Sequence, residues 1–159
     1  MKASFTKYLL VSAIFWIGVS LVGSMATSFG MDWYKGLSLP GITPPGSLIG
    51  AVWTVIFTLA AASMSIALAS RTSRDVRRKI FIAYAVNAAL NILWSVLFFD
   101  LHLIGAAFIE AIILGLSVIA VIVIVKPVSR FAAIMLIPYV AWVSFAAYLT
   151  FLIGRLNGF

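Results

Sequence analysis

The residues able to do chemistry in this sequence are few and of one kind. They are the tryptophans Trp16, Trp33, Trp53, Trp94 and Trp142, the lone His102, the acid Glu110 and the amides Asn87 and Asn91. Indole faces stack on flat conjugated molecules, and a few amide or hydroxyl groups orient such rings. Hydrolysis lacks its parts: no acid–base pair accompanies the tryptophans, and His102 falls in a short turn, Asp100–His102, with no hydroxyl partner. A Ser–His–Asp triad and zinc chemistry are therefore not expected. The absence of Cys excludes disulfides, iron–sulfur clusters and thiolate catalysis.

The elements that position these residues follow from composition. Of 159 residues, 64% are apolar and only 9% charged, and the mean hydropathy is +1.19. A soluble domain carries about 25% charged residues. Too few charges remain here to wet a surface, and the chain reads as one integral membrane domain, residues 1–159. A bilayer core about 30 Å thick needs about 20 helical residues. Five apolar runs meet that length: Tyr8–Phe29, Ile49–Ser70, Ile80–Phe99, Leu103–Val125 and Phe131–Ile153. Backbone in lipid must satisfy its own hydrogen bonds, and the alternation of a membrane barrel is missing, so the runs predict an all-α bundle of five transmembrane helices. The first run, with Lys2 and Lys7 before it and Ser24-Met25-Ala26 near its end, mimics a secretory signal. A signal core is only about 7–15 residues, which favours a retained helix.

Between the first two runs, Gly30–Leu48 holds four glycines, Pro40, Pro44 and Pro45, together with Trp33 and Tyr34. That stretch is expected to be a long loop, either a lid over a site or an interfacial anchor. All 11 Lys and Arg residues except Lys35 and Arg155 fall on the N-terminal side of the bundle. The positive-inside bias places the N-terminus in the cytoplasm and the C-terminus outside. The net charge of +7 serves topology rather than nucleic acid, because no exposed basic domain exists. The tract Arg71–Lys79 could also hold anionic lipid head groups.

Helical spacing gathers the aromatics into stripes. On the second run Gly50, Trp53, Thr54, Phe57 and Ala61 share a face. Asn87, Asn91, Trp94, Ser95 and Phe98 do so on the third, and Pro138, Trp142, Phe145, Ala146 and Leu149 on the fifth. Amides facing lipid are costly, so the third stripe turns inward. The stripes fit either simple packing or an enclosed aromatic cavity. A haem would want an axial His, Cys or Tyr within the membrane, and although Met25, Met64 and Met135 exist, stacking suits a metal-free porphyrin better. Glu110 reads as a proton relay or cation partner, or as an acid bonded to a neighbouring helix or close to water. Ala107, Ala111 and Gly115, like Ala85 and Ala89, form small-residue lines for close packing within the fold or across a homodimer.

These residues carry a resemblance. Trp33-Tyr34, Leu37, Pro40, Thr43-Pro44-Pro45-Gly46, Gly50 and Val52-Trp53-Thr54 resemble the first loop and second helix of the tryptophan-rich sensory protein/translocator protein family, TspO/MBR. Asn87, Asn91, Leu93-Trp94-Ser95 and Phe98-Phe99 are similar to its third-helix motif. Pro138-Tyr139, Trp142, Phe145-Ala146 and Leu149 are similar to its fifth. The resemblance runs from Ser24 to Leu149 and implies five helices whose long loop lids a pocket. It implies porphyrin as ligand with no obligatory cofactor, a membrane receptor or sensor tied to oxidative stress, dimer formation, and a prokaryotic cell membrane as location. The alternative it offers is a transporter of porphyrin or sterol-like amphiphiles. Position by position, Ser24, Trp33, Tyr34, Pro44, Trp53, Phe57, Asn87, Asn91, Trp94, Trp142, Phe145 and Ala146 would line or close the pocket. Trp53 and Trp142 match the tryptophans credited in bacterial relatives with light-dependent breakdown of protoporphyrin.

The sequence also departs from the family. Ile42 stands where many members carry Trp before Thr-Pro-Pro, and Phe57 stands where some carry Tyr. Six residues separate Tyr148 from Arg155, one beyond the sterol-motif pattern, so sterol binding is the weakest implication.

Overall fold

A computed structural model describes residues 2–158, with side chains from Phe5 onward. The elements are α1 (Lys2–Lys35), α2 (Gly46–Ala69), α3 (Arg74–Ser95), a π-helical turn (Val96–Asp100), α4 (Ile104–Val125), α5 (Arg130–Ile134) and α6 (Ile137–Asn157). The described residues contain five helices long and apolar enough to cross a membrane, α5 and α6 together forming the last. The chain is an integral, multi-pass membrane protein.

Three boundaries differ from those expected, each for a physical reason. The first helix does not stop at Phe29 but runs 34 residues to Lys35. Gly30 sits inside it as a contact point rather than a break, because a Cβ there would collide with the backbone carbonyl of Phe99. Trp33 and Tyr34 consequently ride on the last helical turn, and the loop shrinks to residues 36–45. The third helix starts earlier, with the Ser73 hydroxyl accepting from the Val76 N–H, and ends in the π turn. The expected fifth run, Phe131–Ile153, is interrupted at Met135 and Leu136. Pro138 has no N–H to offer the Ile134 carbonyl, and the backbone tightens there, Leu136 N–H bonding to the Ala133 carbonyl.

The helices form an incomplete ring in the order α2, α1, α3, α4, α6. Helix α1 packs on α2 and on α3 with its π turn, α4 packs on α3 and α6, and α5 tucks under α2 and α4. Helices α2 and α6 scarcely meet through their backbones. Apolar contact between helices gains little in lipid, so close packing and interhelical hydrogen bonds carry the association. At the end away from the loop, Tyr84 and Ser63 hydroxyls lie 2.7 Å apart, and Ser63 donates to the Ala132 carbonyl, joining α3, α2 and α5. In mid-bundle Asn87 donates to the Ser117 hydroxyl and Asn91 to the Tyr139 hydroxyl, tying α3 to α4 and α6. The small line of α4 is spent inside the fold: Ala107 and Ala111 are buried, and Gly115 faces Val143 of α6.

Candidate functional site

A chamber of about 1260 Å³ opens among α1, α2, α3, α4 and α6 beneath the loop. It exceeds the usual range of about 300–1,000 Å³ for small-molecule pockets. Its walls come from different spans for different reasons. Helix α2 contributes Trp53, Thr54 and Phe57 from one stripe, with Gly46 and Gly50 above them. From α3 come Asn91, Trp94 and Ser95, and from α6 come Trp142, Phe145 and Ala146. The loop covers the mouth with Pro40, Thr43, Pro44 and Pro45. No charged residue lines the chamber among the described residues.

Two aromatic groups frame the space. On the α3 side, Trp94 stacks on Phe98 at 5.1 Å with an interplanar angle of 11°, and Phe99 meets both edge-on. The π turn makes this possible. Its wider winding lets the consecutive Phe98 and Phe99 both turn inward, at 1% and 9% exposure. On the opposite side Trp53 packs on Phe57 at 5.3 Å, and Phe57 stacks on the buried Trp16. Trp53 also meets Tyr139 of α6 edge-on at 6.0 Å, the side-chain bridge between α2 and α6. Trp142 contacts Phe145 at 5.5 Å.

Hydrogen-bonding capacity around the chamber is only partly used. The Thr27 and Thr54 hydroxyls donate to carbonyls of their own helices, as hydroxyls in membrane helices do. The indole N–H groups of Trp94 and Trp142 are buried without a partner among the described residues. Among those residues no cluster of His, Asp or Glu could hold a metal ion.

Of the expected pocket residues, Ser24, Tyr34, Pro44, Trp53, Phe57, Asn91, Trp94, Trp142, Phe145 and Ala146 come together on this one chamber. Two do not. Trp33 turns away from it, stacking on His102 at 4.1 Å and meeting Phe98 edge-on. Asn87 is 2% exposed and spends its amide on Ser117, so it braces the bundle behind the wall. Glu110 lies outside the lining too. It is 4% exposed, and both carboxyl oxygens lack a partner among the described residues, so it makes no hydrogen bond to a neighbouring helix there. The residues that sequence reasoning missed are Ser20, Thr27 and Ser28 on α1, which join the expected Ser24. Ser20, Ser24, Thr27 and Ser28 follow helical spacing and line the wall facing the tryptophans. The same i, i+4, i+7, i+8 pattern was there to find them.

The loop itself is fastened. Pro40–Thr43 closes a turn in which the Thr43 N–H and hydroxyl both donate to the Pro40 carbonyl. Asn157, at the end of α6, accepts the Ser38 N–H at 2.9 Å and donates to the Ser38 carbonyl at 3.0 Å.

Comparison with known proteins settles the lineage. The model of the TspO/MBR family matches residues 9–156, nearly the whole chain. The chain belongs to the TspO/MBR family. Among curated relatives, the tryptophan-rich protein TspO of Archaeoglobus fulgidus is 34% identical over 94% of this chain and 96% of its own length. The tryptophan-rich sensory protein of Cereibacter sphaeroides is 26% identical, covering 91% of this chain and 92% of its own. The human translocator protein is 29% identical over 80% of this chain and 76% of its own. This TspO/MBR chain thus aligns over more than nine-tenths of its length with microbial relatives and over about three-quarters of the length of an animal one.

Proposed function

We propose that this TspO/MBR protein is a membrane receptor that takes a flat tetrapyrrole such as protoporphyrin into the chamber. The observation that carries the reading is the convergence of Trp53, Trp94 and Trp142, from three separate spans, on one uncharged space under a fastened loop. Indole and phenyl faces on opposite walls suit a large conjugated ring, and Asn91 with the α1 hydroxyls suits the polar groups at its rim. Names such as sensory protein and translocator protein among the relatives agree with a receptor or transporter role. On this reading Trp53 and Trp142, both in the chamber lining, are the indoles that would exchange electrons with an illuminated porphyrin. The positive-inside distribution supports an orientation with the loop end outside the cytoplasm of a cell membrane.

Protoporphyrin titrated into the detergent-purified protein is expected to quench Trp fluorescence saturably. Changing Trp53 and Trp142 to Phe together should preserve the fold and abolish light-dependent loss of the porphyrin. Unchanged degradation in the double variant would remove the photochemical part of the reading and leave the receptor part standing. Transport is distinguished by flux: saturable porphyrin uptake into proteoliposomes would replace the receptor reading with the transporter one.

A further inference from the structure

A second hollow lies against the first. A groove of about 470 Å³ runs on the outside of the bundle between α2 and α6, lined by Val52, Val55 and Ile56 on one side and Pro138, Ala141 and Trp142 on the other. Its lining is almost wholly apolar, and Val55 is 56% exposed, so in a bilayer hydrocarbon fills it. Trp142 belongs to both hollows, and on α2 the groove residue Val52 adjoins the chamber residue Trp53. One layer of side chains therefore separates the chamber from lipid along this seam. It is also where the ring of helices is incomplete, with the edge contact of Trp53 on Tyr139 spanning the gap.

We infer that the α2–α6 seam is a lateral portal, through which a bilayer-dissolved flat amphiphile passes between the membrane interior and the chamber, with Trp142 as the gate. The inference rests on the receptor reading and adds the route and the phase from which the ligand comes. Two routes compete. Passage at the loop end must break both hydrogen bonds between Asn157 and Ser38 and lift a turn closed on Pro40. Passage through the seam needs only side-chain rotation, because no hydrogen bond joins α2 to α6 among those the structure gives, and rotamer changes are fast. Pro138 adds to this. It interrupts the hydrogen-bond ladder beside the groove, leaving the start of α6 freer to shift than an unbroken span.

The test is kinetic. Ala51 lines the groove, and Ala51 and Ala141 both lie outside the chamber lining. Protoporphyrin pre-equilibrated in phosphatidylcholine vesicles is mixed with protein in nanodiscs, and Trp quenching is followed by stopped flow. Ala51→Phe and Ala141→Phe, which plug the groove from opposite walls, should each slow association and release about tenfold and leave the dissociation constant unchanged. Asn157→Ala, which frees the loop, should leave both rates as they are. Unchanged rates in the plugged variants, or faster rates on freeing the loop, would overturn the portal while binding stands. No saturable quenching in the unsubstituted protein would overturn the receptor reading and the portal with it. A second measurement uses lipids brominated on the acyl chain. The emission lost on Trp142→Phe should be quenched by them, and an unquenched Trp142 contribution would sink the gate.

Discussion

Gly30 and Asn91 illustrate how single residues set this site. Gly30 lets α1 touch the Phe99 backbone, and that contact holds the aromatic wall of the π turn against the first helix. Gly30→Ala should lower stability by about 2 kcal/mol, the usual scale of overpacking, read as a lower thermal midpoint in detergent. A midpoint equal to that of the unsubstituted protein would mean α1 stands further off. Asn91 and Asn87 are one helical turn apart, yet one lines the chamber and the other bonds Ser117 behind it. Asn91→Ala should raise the dissociation constant for protoporphyrin about tenfold, equal to about 1.4 kcal/mol. Asn87→Ala should leave that constant within about twofold and lower stability instead, by about 0.6 kcal/mol, the average for a hydrogen bond between membrane helices. Equal effects on binding would contradict the division of roles. From sequence the two amides were indistinguishable, because a stripe fixes the inward face but not the depth of the hollow behind it.

At the scale of elements, the apolar runs made the five spans legible, since the lipid interior permits little else. The ends of the runs were less so. Glycine and aromatics around Gly30 to Tyr34 suggested a loop, but the chain does not leave the helix until Gly36, and the helix continues through Gly30 because it packs there. Trp33 followed from that error: one more helical turn carries its ring round to His102. The stripes of α2, α3 and α6 predicted the indole walls well, whereas of the α1 hydroxyls only Ser24 was expected, because serine and threonine are common in membrane helices. The π turn was invisible, since no residue type encodes it. The loop, in contrast, can be interrogated directly. Removing the Asn157 side chain deletes both hydrogen bonds to Ser38, worth about 1 kcal/mol each. Amide exchange at Leu37–Gly41 should accelerate by about 30-fold in Asn157→Ala, as about 2 kcal/mol requires; exchange at the unsubstituted rate would show that the turn at Pro40 suffices.

For the whole molecule, orientation is the open axis, and the chain's lack of cysteine makes it easy to read. Single substitutions Gly41→Cys in the loop and Arg74→Cys at the other end should react oppositely with a membrane-impermeant thiol reagent applied to intact cells. Labelling at Gly41 alone supports the cation count, and labelling at Arg74 alone reverses the topology. The clasp between Ser38 and Asn157 joins residues 119 positions apart. A ribosome delivers Asn157 long after Ser38. The cover over the hollow is therefore secured only after all five spans are made, and a nascent chain halted before Asn157 would keep five threaded spans under an unfastened roof.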